Sequence, residues 1–396
     1  MLSIRRHVVQ YMTLELRRIL LPGLFGLAAF VIFSSPHCAK AQVPLASEKW
    51  RLVEDPKSGI AGAQLMPTQT KAFAPLNDPE WRAAATADYM RPNDRVLGLS
   101  FRGKSWAVPI WVMFRPHVAN LVVDGEAVVI SYCAKCRGGI ARQARIPGRR
   151  LTFYISGIYN GSILLSDYET TSYWTPFTGE ALEGELKGTK LPQVPLLQCP
   201  WSEWLQMHPD TLVLYRAGFP RPTGLEEHVL AENNFYAPTK LVESVLRPLD
   251  ERLPVTDWIF GITVGDQFRA YPLDVLNHEP ESAHGNIALN DAIGDKPVVI
   301  LHARDQTLAN AFYRRLAGKT LLFSTDKDGR FVDSTFNSHW NYQGEALDGP
   351  VAGQKLNYIP SQVEDWYIWA AYHPTTTIYQ SEPGGSASGS AGGGMR

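Results

Sequence analysis

The sequence predicts an α+β protein: two β-rich tandem repeats, each with a short C-terminal helix, packed as a pseudo-symmetric pair. Three observations predict it. A long stretch matches itself at a fixed offset, short apolar runs separated by glycine turns fill each matched region, and one helical apolar period lies near the end of each. Gly179-Glu180-Ala181-Leu182-Glu183-Gly184 returns as Gly344-Glu345-Ala346-Leu347-Asp348-Gly349. At the same offset Gly188, Lys190 and Leu191 meet Gly353, Lys355 and Leu356, Trp201 and Trp204 meet Trp366 and Trp369, and His208-Pro209 meets His373-Pro374. Fourteen of 33 positions from 179 to 211 are identical. Average residue usage would give roughly 2 by chance, so the stretch reads as a duplication.

Upstream the two copies align with small gaps. Val96-Leu97-Gly98-Leu99 meets Ile259-Phe260-Gly261-Ile262, Ala107-Val108-Pro109 meets Ala270-Tyr271-Pro272, and Val128-Val129-Ile130 meets Val298-Val299-Ile300. Copy one therefore spans residues 94–216 and copy two 257–380. Residues 217–256, with Pro220, Pro222, Pro238, Pro248 and Pro254, read as a linker packing across both.

Taken in order, residues 42–93 form a lead-in with a short helix over 78–90, Asp78 as its cap and Pro79 in its first turn. Runs 97–101 and 106–110 flank Arg102-Gly103-Lys104, a hairpin signal. Residues 127–132 are a continuous apolar strand. Runs 151–156 and 162–166 flank a turn carrying Gly157, Asn160 and Gly161. Pro200 suits the start of a helix whose Trp201, Trp204, Leu205 and His208 share one face, with Trp201 and Trp204 as core anchors. Residues 211–215 close the copy as a strand.

The two ends are of another kind. Arg5, Arg6, Arg17 and Arg18 precede an apolar run over 19–33, and Ala39-Lys40-Ala41 follows it. That order is a signal peptide cut after about Ala41. The run, broken by Pro22 and Gly23, is short of the ~20 residues a membrane span needs. The protein is thus expected in the periplasm or outside the cell, with no stable span after cleavage. Residues 381–396 form a glycine/serine tail. A net charge of −1 leaves no basic field for nucleic acid.

Cleavage would remove Cys38 and leave Cys133, Cys136 and Cys199. Around the first two, Ser131-Tyr132-Cys133-Ala134-Lys135-Cys136 follows Ala107-Val108-Pro109 and precedes Ser156-Gly157 and Asp167 with Trp174 seven residues on. In these motifs the chain resembles the bacterial domain-of-unknown-function family 3179, over nearly all of 73–380. Members carry Ala-Tyr-Pro, His-Glu, Asn-Asp, Tyr-Cys-Pro-x-Cys-Gly, Ser-Gly and Asp…Trp…Gly-Glu-Ala segments. Copy two keeps Ala270-Tyr271-Pro272, His278-Glu279 and Asn290-Asp291 but has Ala303 where copy one has Cys133. Copy one keeps both cysteines but has Pro116-His117-Val118 in place of His-Glu. A site needing the whole pattern would be lost or assembled between copies. The resemblance implies a fold more than an activity.

Cys133 and Cys136 end an apolar strand, where loops begin and sites are built. Arg137 stands where haem attachment would need His, and no second Cys pair completes a closed zinc site. A redox dithiol/disulfide, a soft-metal site such as copper, and a plain structural disulfide or buried thiols remain open. His117 is the nearest imidazole, and Lys135 and Arg137 would favour thiolate. His278, His302 and His339 of copy two form a second candidate metal set, with Glu279 or Asp291 as carboxylate partner. Cys199, whose counterpart is Glu364, reads as a buried or idle thiol, and His208 and His373 as structural histidines at helix ends where the dipole favours them. Ser156-Gly157 lacks a nucleophile elbow and reads as a turn. The leading functional reading is thiol-redox or copper handling at Cys133 and Cys136. The alternative is a non-catalytic module binding a small molecule or protein in a cleft between the repeats.

Overall fold

The computed structural model describes residues 50–66, 73–218, 221, 239–279, 285–304 and 306–381. The signal segment 1–41, much of the linker and the tail from 382 lie outside them. Strands dominate, and the helices are few and short: Ile110–Met113, Trp201–Met207, Thr239–Glu243, Leu273–Asn277 and Trp366–Tyr372. Among the described residues no helix is long and apolar enough to cross a membrane.

The strands form larger sheets in two sets of three, with small two-stranded hairpins beside them. In the N-terminal half Arg95–Phe101 pairs with Lys104–Pro109 on one side and Leu196–Pro200 on the other, and Leu212–Tyr215 joins in parallel to Lys104–Pro109. In the C-terminal half Trp258–Val264, Gln267–Pro272, Ser361–Asp365 and Thr377–Ile378 take the same order and directions. A helix follows the returning strand in each, and its second tryptophan is pressed onto a glycine. Trp204 covers Gly98 and Trp369 covers Gly261, so closely that a Cβ at either glycine would strike the indole. Those two glycines are required by the packing. Trp204 Nε1 donates to Thr211 Oγ1 at 3.0 Å, and Trp369 Nε1 to Thr376 Oγ1 at 2.8 Å.

The second sheet of each half is a meander: Val118–Val123, Glu126–Cys133 and Gly138–Gln143 in one, Asn286–Ile293, Lys296–Ala303 and Ala309–Tyr313 in the other. The third is a hairpin, Phe153–Tyr159 with Ser162–Asp167, or Phe323–Thr325 with Phe331–Asp333. The N-terminal hairpin is longer. Its tip, Asn160 and Gly161 at positive φ, hydrogen-bonds Leu246 N and Ser244 Oγ of the linker.

The lead-in differs from expectation. In place of a helix over 78–90, Glu80–Ala83 is a strand paired with Leu212–Tyr215, followed by a single 3-10 turn at Ala84–Thr86. The Asp78 cap and Pro79 were local signals; a free edge of the first sheet offered four ladder partners and overrode them. The lead-in extends each sheet of the N-terminal half, with Leu76–Asn77 beside Val118–Val123, and Gln64–Leu65 beside Phe153–Tyr159 with Arg51–Leu52 outside it at the edge. Gly157 lies in a bulge of that hairpin and not in its turn. Gln64 backbone runs so close that no side chain fits.

Candidate functional site

Cys133 closes its strand and pairs with Gly138, the first residue of the next. The turn between them is tied by a Cys133–Cys136 disulfide. Both cysteines are buried in an apolar cluster with Trp174, Phe177, Tyr367 and Ile368, the last two from the C-terminal half. Cys136 N–H donates to Cys133 Sγ at 3.2 Å.

Arg137, at positive φ, carries the turn across to that half. Its guanidinium donates to Asp365 Oδ1 and to Thr256 O, the latter at 2.7 Å, and lies 4.3 Å over the Trp258 ring. Burial lifts the Asp365 carboxyl to about 7, against the pull of Arg137. Its neighbour Glu364 is wholly enclosed, and desolvation holds its carboxyl well above the usual carboxylate range. Glu364 Oε1 accepts from Gln362 Nε2 at 2.7 Å, and Oε2 has no hydrogen-bond partner among the described residues. A Cβ built on Gly138 would lie 3.2 Å from Glu364 Cβ.

A reciprocal contact runs the other way. Thr307 Oγ1 donates to Gln198 O at 2.7 Å and accepts from Arg95. Ala303 and Leu308 pack in one cluster with Cys199 and Trp204. Cys199 is a free, buried thiol that burial pushes up to about 12, so it is inert as a nucleophile despite its place before a helix.

The predicted histidines are dispersed in role. His117 Nδ1 donates to Tyr132 O at 2.8 Å, its ring packs on Phe73, and burial lowers its pKa. His278 is exposed and its Nδ1 bonds Asp274 O at 2.7 Å. His302 is fully buried between Leu308 O and Asn277 Oδ1, at 3.1 and 2.9 Å. His339 bridges Asp348 at 2.7 Å and Asp326 at 3.2 Å. Among the described residues no three His, Cys, Asp or Glu side chains are grouped so as to hold a metal ion. His208 and His373 end their helices, but burial lowers both, His373 to about 4. They therefore stand neutral and pack against aromatic rings, His208 tilted on Trp204 and His373 stacked on Phe268, instead of offering charge to a dipole.

Several motif residues maintain the fold. Asn120 and Asn290 each clamp the hairpin's first residue, accepting from its N–H and donating to its carbonyl: Phe153 at 2.8 and 2.9 Å, Phe323 at 2.9 and 2.7 Å. Asp167 and Asp333 accept from Trp174 and Trp340 Nε1 at 2.8 and 2.9 Å. In the C-terminal half Tyr271 and Arg269 both donate to Asp291, and Tyr379 donates to Glu279. Where Tyr271 stands, the other half has Val108 in an apolar core.

Glu364, Asp365 and Trp258 were not singled out as site residues from the sequence. One signal was present, two consecutive carboxylates at the positions matching Cys199-Pro200, but in the polar run Ser361-Gln362-Val363-Glu364-Asp365 nothing local marked them as buried.

Architecture and site together define a β-rich protein with short helices, carrying a disulfide at a strand end and buried acids across from it. The chain belongs to the family described as "Protein of unknown function (DUF3179)", whose model matches residues 72–376. The match is a single stretch running through both halves, so it shows one family unit and not two tandem copies. No curated protein and no solved structure matches the chain.

Proposed function

We propose that Cys133 and Cys136 form a two-electron thiol–disulfide couple through which this protein, exported and built as two tandem copies, exchanges reducing equivalents with a dithiol partner. The observation that carries this reading is the closed Cys133–Cys136 pair with the Cys136 N–H aimed at Cys133 Sγ. A donor fixed on one sulfur favours thiolate there. Cys133 is 5% exposed and Cys136 is 0%, so an incoming thiolate meets Cys133 first. Its attack forms a mixed disulfide at Cys133 and breaks the Cys133–Cys136 bond, whose electron pair leaves on Cys136. The partner's second thiolate then attacks its own sulfur in the mixed disulfide, releases Cys133 as thiolate and closes the partner's disulfide. Both cysteines take up protons, so two electrons and two protons enter.

The test is equilibration of the folded protein in dithiothreitol or glutathione buffers of graded poise, with alkylation and peptide mapping. The expected result is joint, reversible labelling of Cys133 and Cys136 while the protein stays folded. A disulfide that opens only when the chain unfolds would reduce the pair to a structural brace.

A further inference from the structure

Resting on that redox reading, we infer that Glu364 is the proton partner of the Cys133–Cys136 couple, supplied by one half to the disulfide of the other. The placement carries it. Cys133 and Gly138 are directly paired in an antiparallel ladder, so their side-chain directions share one face about 5 Å apart. That face looks onto the 361–365 strand, where Glu364 Cβ lies 3.2 Å from the Cβ position of Gly138. The Glu364 carboxyl is thus within a side chain's reach of the sulfurs. The opposite half repeats the arrangement without the chemistry. Cys199 takes the register place of Glu364, opposite Val96 as Glu364 is opposite Ile259, and packs with Ala303 and Leu308, the counterparts of Cys133 and Gly138.

A second observation bears on the group itself. Glu364 is fully buried with one oxygen bonded and Oε2 unpartnered among the described residues. A lone buried carboxyl of this kind is destabilising and calls for a role or a partner. When the S–S bond breaks, Glu364 passes its proton to the departing Cys136 sulfur. Solvent reprotonates it afterwards. On reoxidation the steps reverse: Glu364 first returns its proton to solvent, and its carboxylate then takes the Cys136 thiol proton as that sulfur attacks. The charged and titratable groups around it are Asp365 on its own strand, Arg137 from the disulfide turn, and Tyr367 and Tyr372 from the helix that follows. Burial keeps both tyrosines neutral, and Arg137 is engaged by Asp365.

The experiment is the rate of reduction of the full chain by dithiothreitol, corrected for the reductant's own thiolate, across pH 5 to about 9, a span bracketing a raised carboxyl. Glu364→Gln, which preserves shape, should slow reduction by roughly tenfold to a hundredfold, the lower range of general-acid effects. It should also flatten the pH profile. Glu364→Asp, which keeps an acid, should retain a profile with a displaced inflexion. Wild-type rate and profile in Glu364→Gln would overturn the inference while leaving the redox couple standing. Should that variant not fold, an unmoved inflexion in Glu364→Asp would overturn it equally. A wild-type disulfide that resists reduction in the folded state would instead remove the redox reading itself, and this inference with it.

Discussion

Each half of the molecule sends one segment into the other, and the two segments do the same mechanical task with different chemistry. From the N-terminal half, Arg137 reaches Asp365, Thr256 and the Trp258 ring. From the C-terminal half, Thr307 reaches Gln198 O and Arg95. Only the first is backed by a disulfide and two buried acids. The docking of the halves therefore does not need a disulfide, carboxylate or ion pair, because the second contact manages without them. What the first contact has in excess is the material of a site.

The sharpest way to break this comparison is to remove the crossing cation. Arg137→Ala would leave Asp365, 1% exposed, as an unpaired acid inside the protein. Breaking a buried pair from one side costs about 3–5 kcal/mol. Thr307→Ala removes the bond to Gln198 O and the one accepted from Arg95, and should cost about 2 kcal/mol, less than the broken ion pair. Urea-unfolding midpoints of the two variants measure the difference, and equal losses would make the two contacts equivalent. The pH dependence has a definite sign. The folded carboxyl of Asp365 is raised from 3.8 to about 7, so the folded state holds the proton more tightly than the unfolded chain. Stability from this group is full below about 4 and is lost as pH rises towards 7. Arg137→Ala should accordingly cost less at pH 5, where the acid is neutral, than at pH 8, conditions on either side of a pKa near 7.

How much of this could be read in the chain depends on range. Strands with a clear two-residue or continuous apolar signal, such as the one ending at Cys133, and the helix of Trp201 and Trp204 lie where local pattern puts them, because pattern and tertiary demand agree. At 78–90 they disagree. A cap and a proline spoke for a helix, but the unpaired edge of Leu212–Tyr215, over a hundred residues later, claimed the segment. The candidate site divides the same way. The Cys133/Cys136 turn was legible because its two halves of meaning sit three residues apart. Glu364 and Asp365 were not, since their chemistry comes from burial against Gly138 and Arg137, more than two hundred residues away in sequence. His278, His302 and His339 looked like one set only because they share a half; each is bonded to different neighbours.

A second, smaller effect sharpens the comparison at the hairpin clamps. Asn120 is 2% exposed and adds a third bond, its Nδ2 donating to Asn77 Oδ1 of the lead-in at 2.8 Å. Asn290 makes the two clamp bonds to Phe323 and is less enclosed. Replacing either by Ala strands a backbone N–H and carbonyl, at about 1–3 kcal/mol. Asn120→Ala should fall at the upper end and Asn290→Ala at the lower, as chemical denaturation can measure. The reverse order would mean that the lead-in adds nothing to the N-terminal half.

The last expected effect, absent at neutral pH and felt only in acid, concerns the two histidines that end the helices. His373 stacks on Phe268 with ring centroids 4.1 Å apart, and its Nδ1 is buried with no partner among the described residues. His208 instead has Ser100 Oγ at 3.3 Å and Gln343 Nε2 at 3.0 Å from its Nε2. Burial depresses His373 from 6.5 to about 4, and depresses His208 as well. Below pH ~6.5 the unfolded chain gains a proton that the folded imidazole refuses, so stability falls as pH drops from there towards about 4. The slope from one such group is at most about 1.4 kcal/mol per pH unit. His373→Phe should flatten the acid limb of thermal stability between pH ~6.5 and ~4. His208→Phe should flatten it less and lose its polar partners besides. An acid limb unchanged by His373→Phe would place its origin elsewhere and show that the two helix ends, alike in sequence, are alike in electrostatics too.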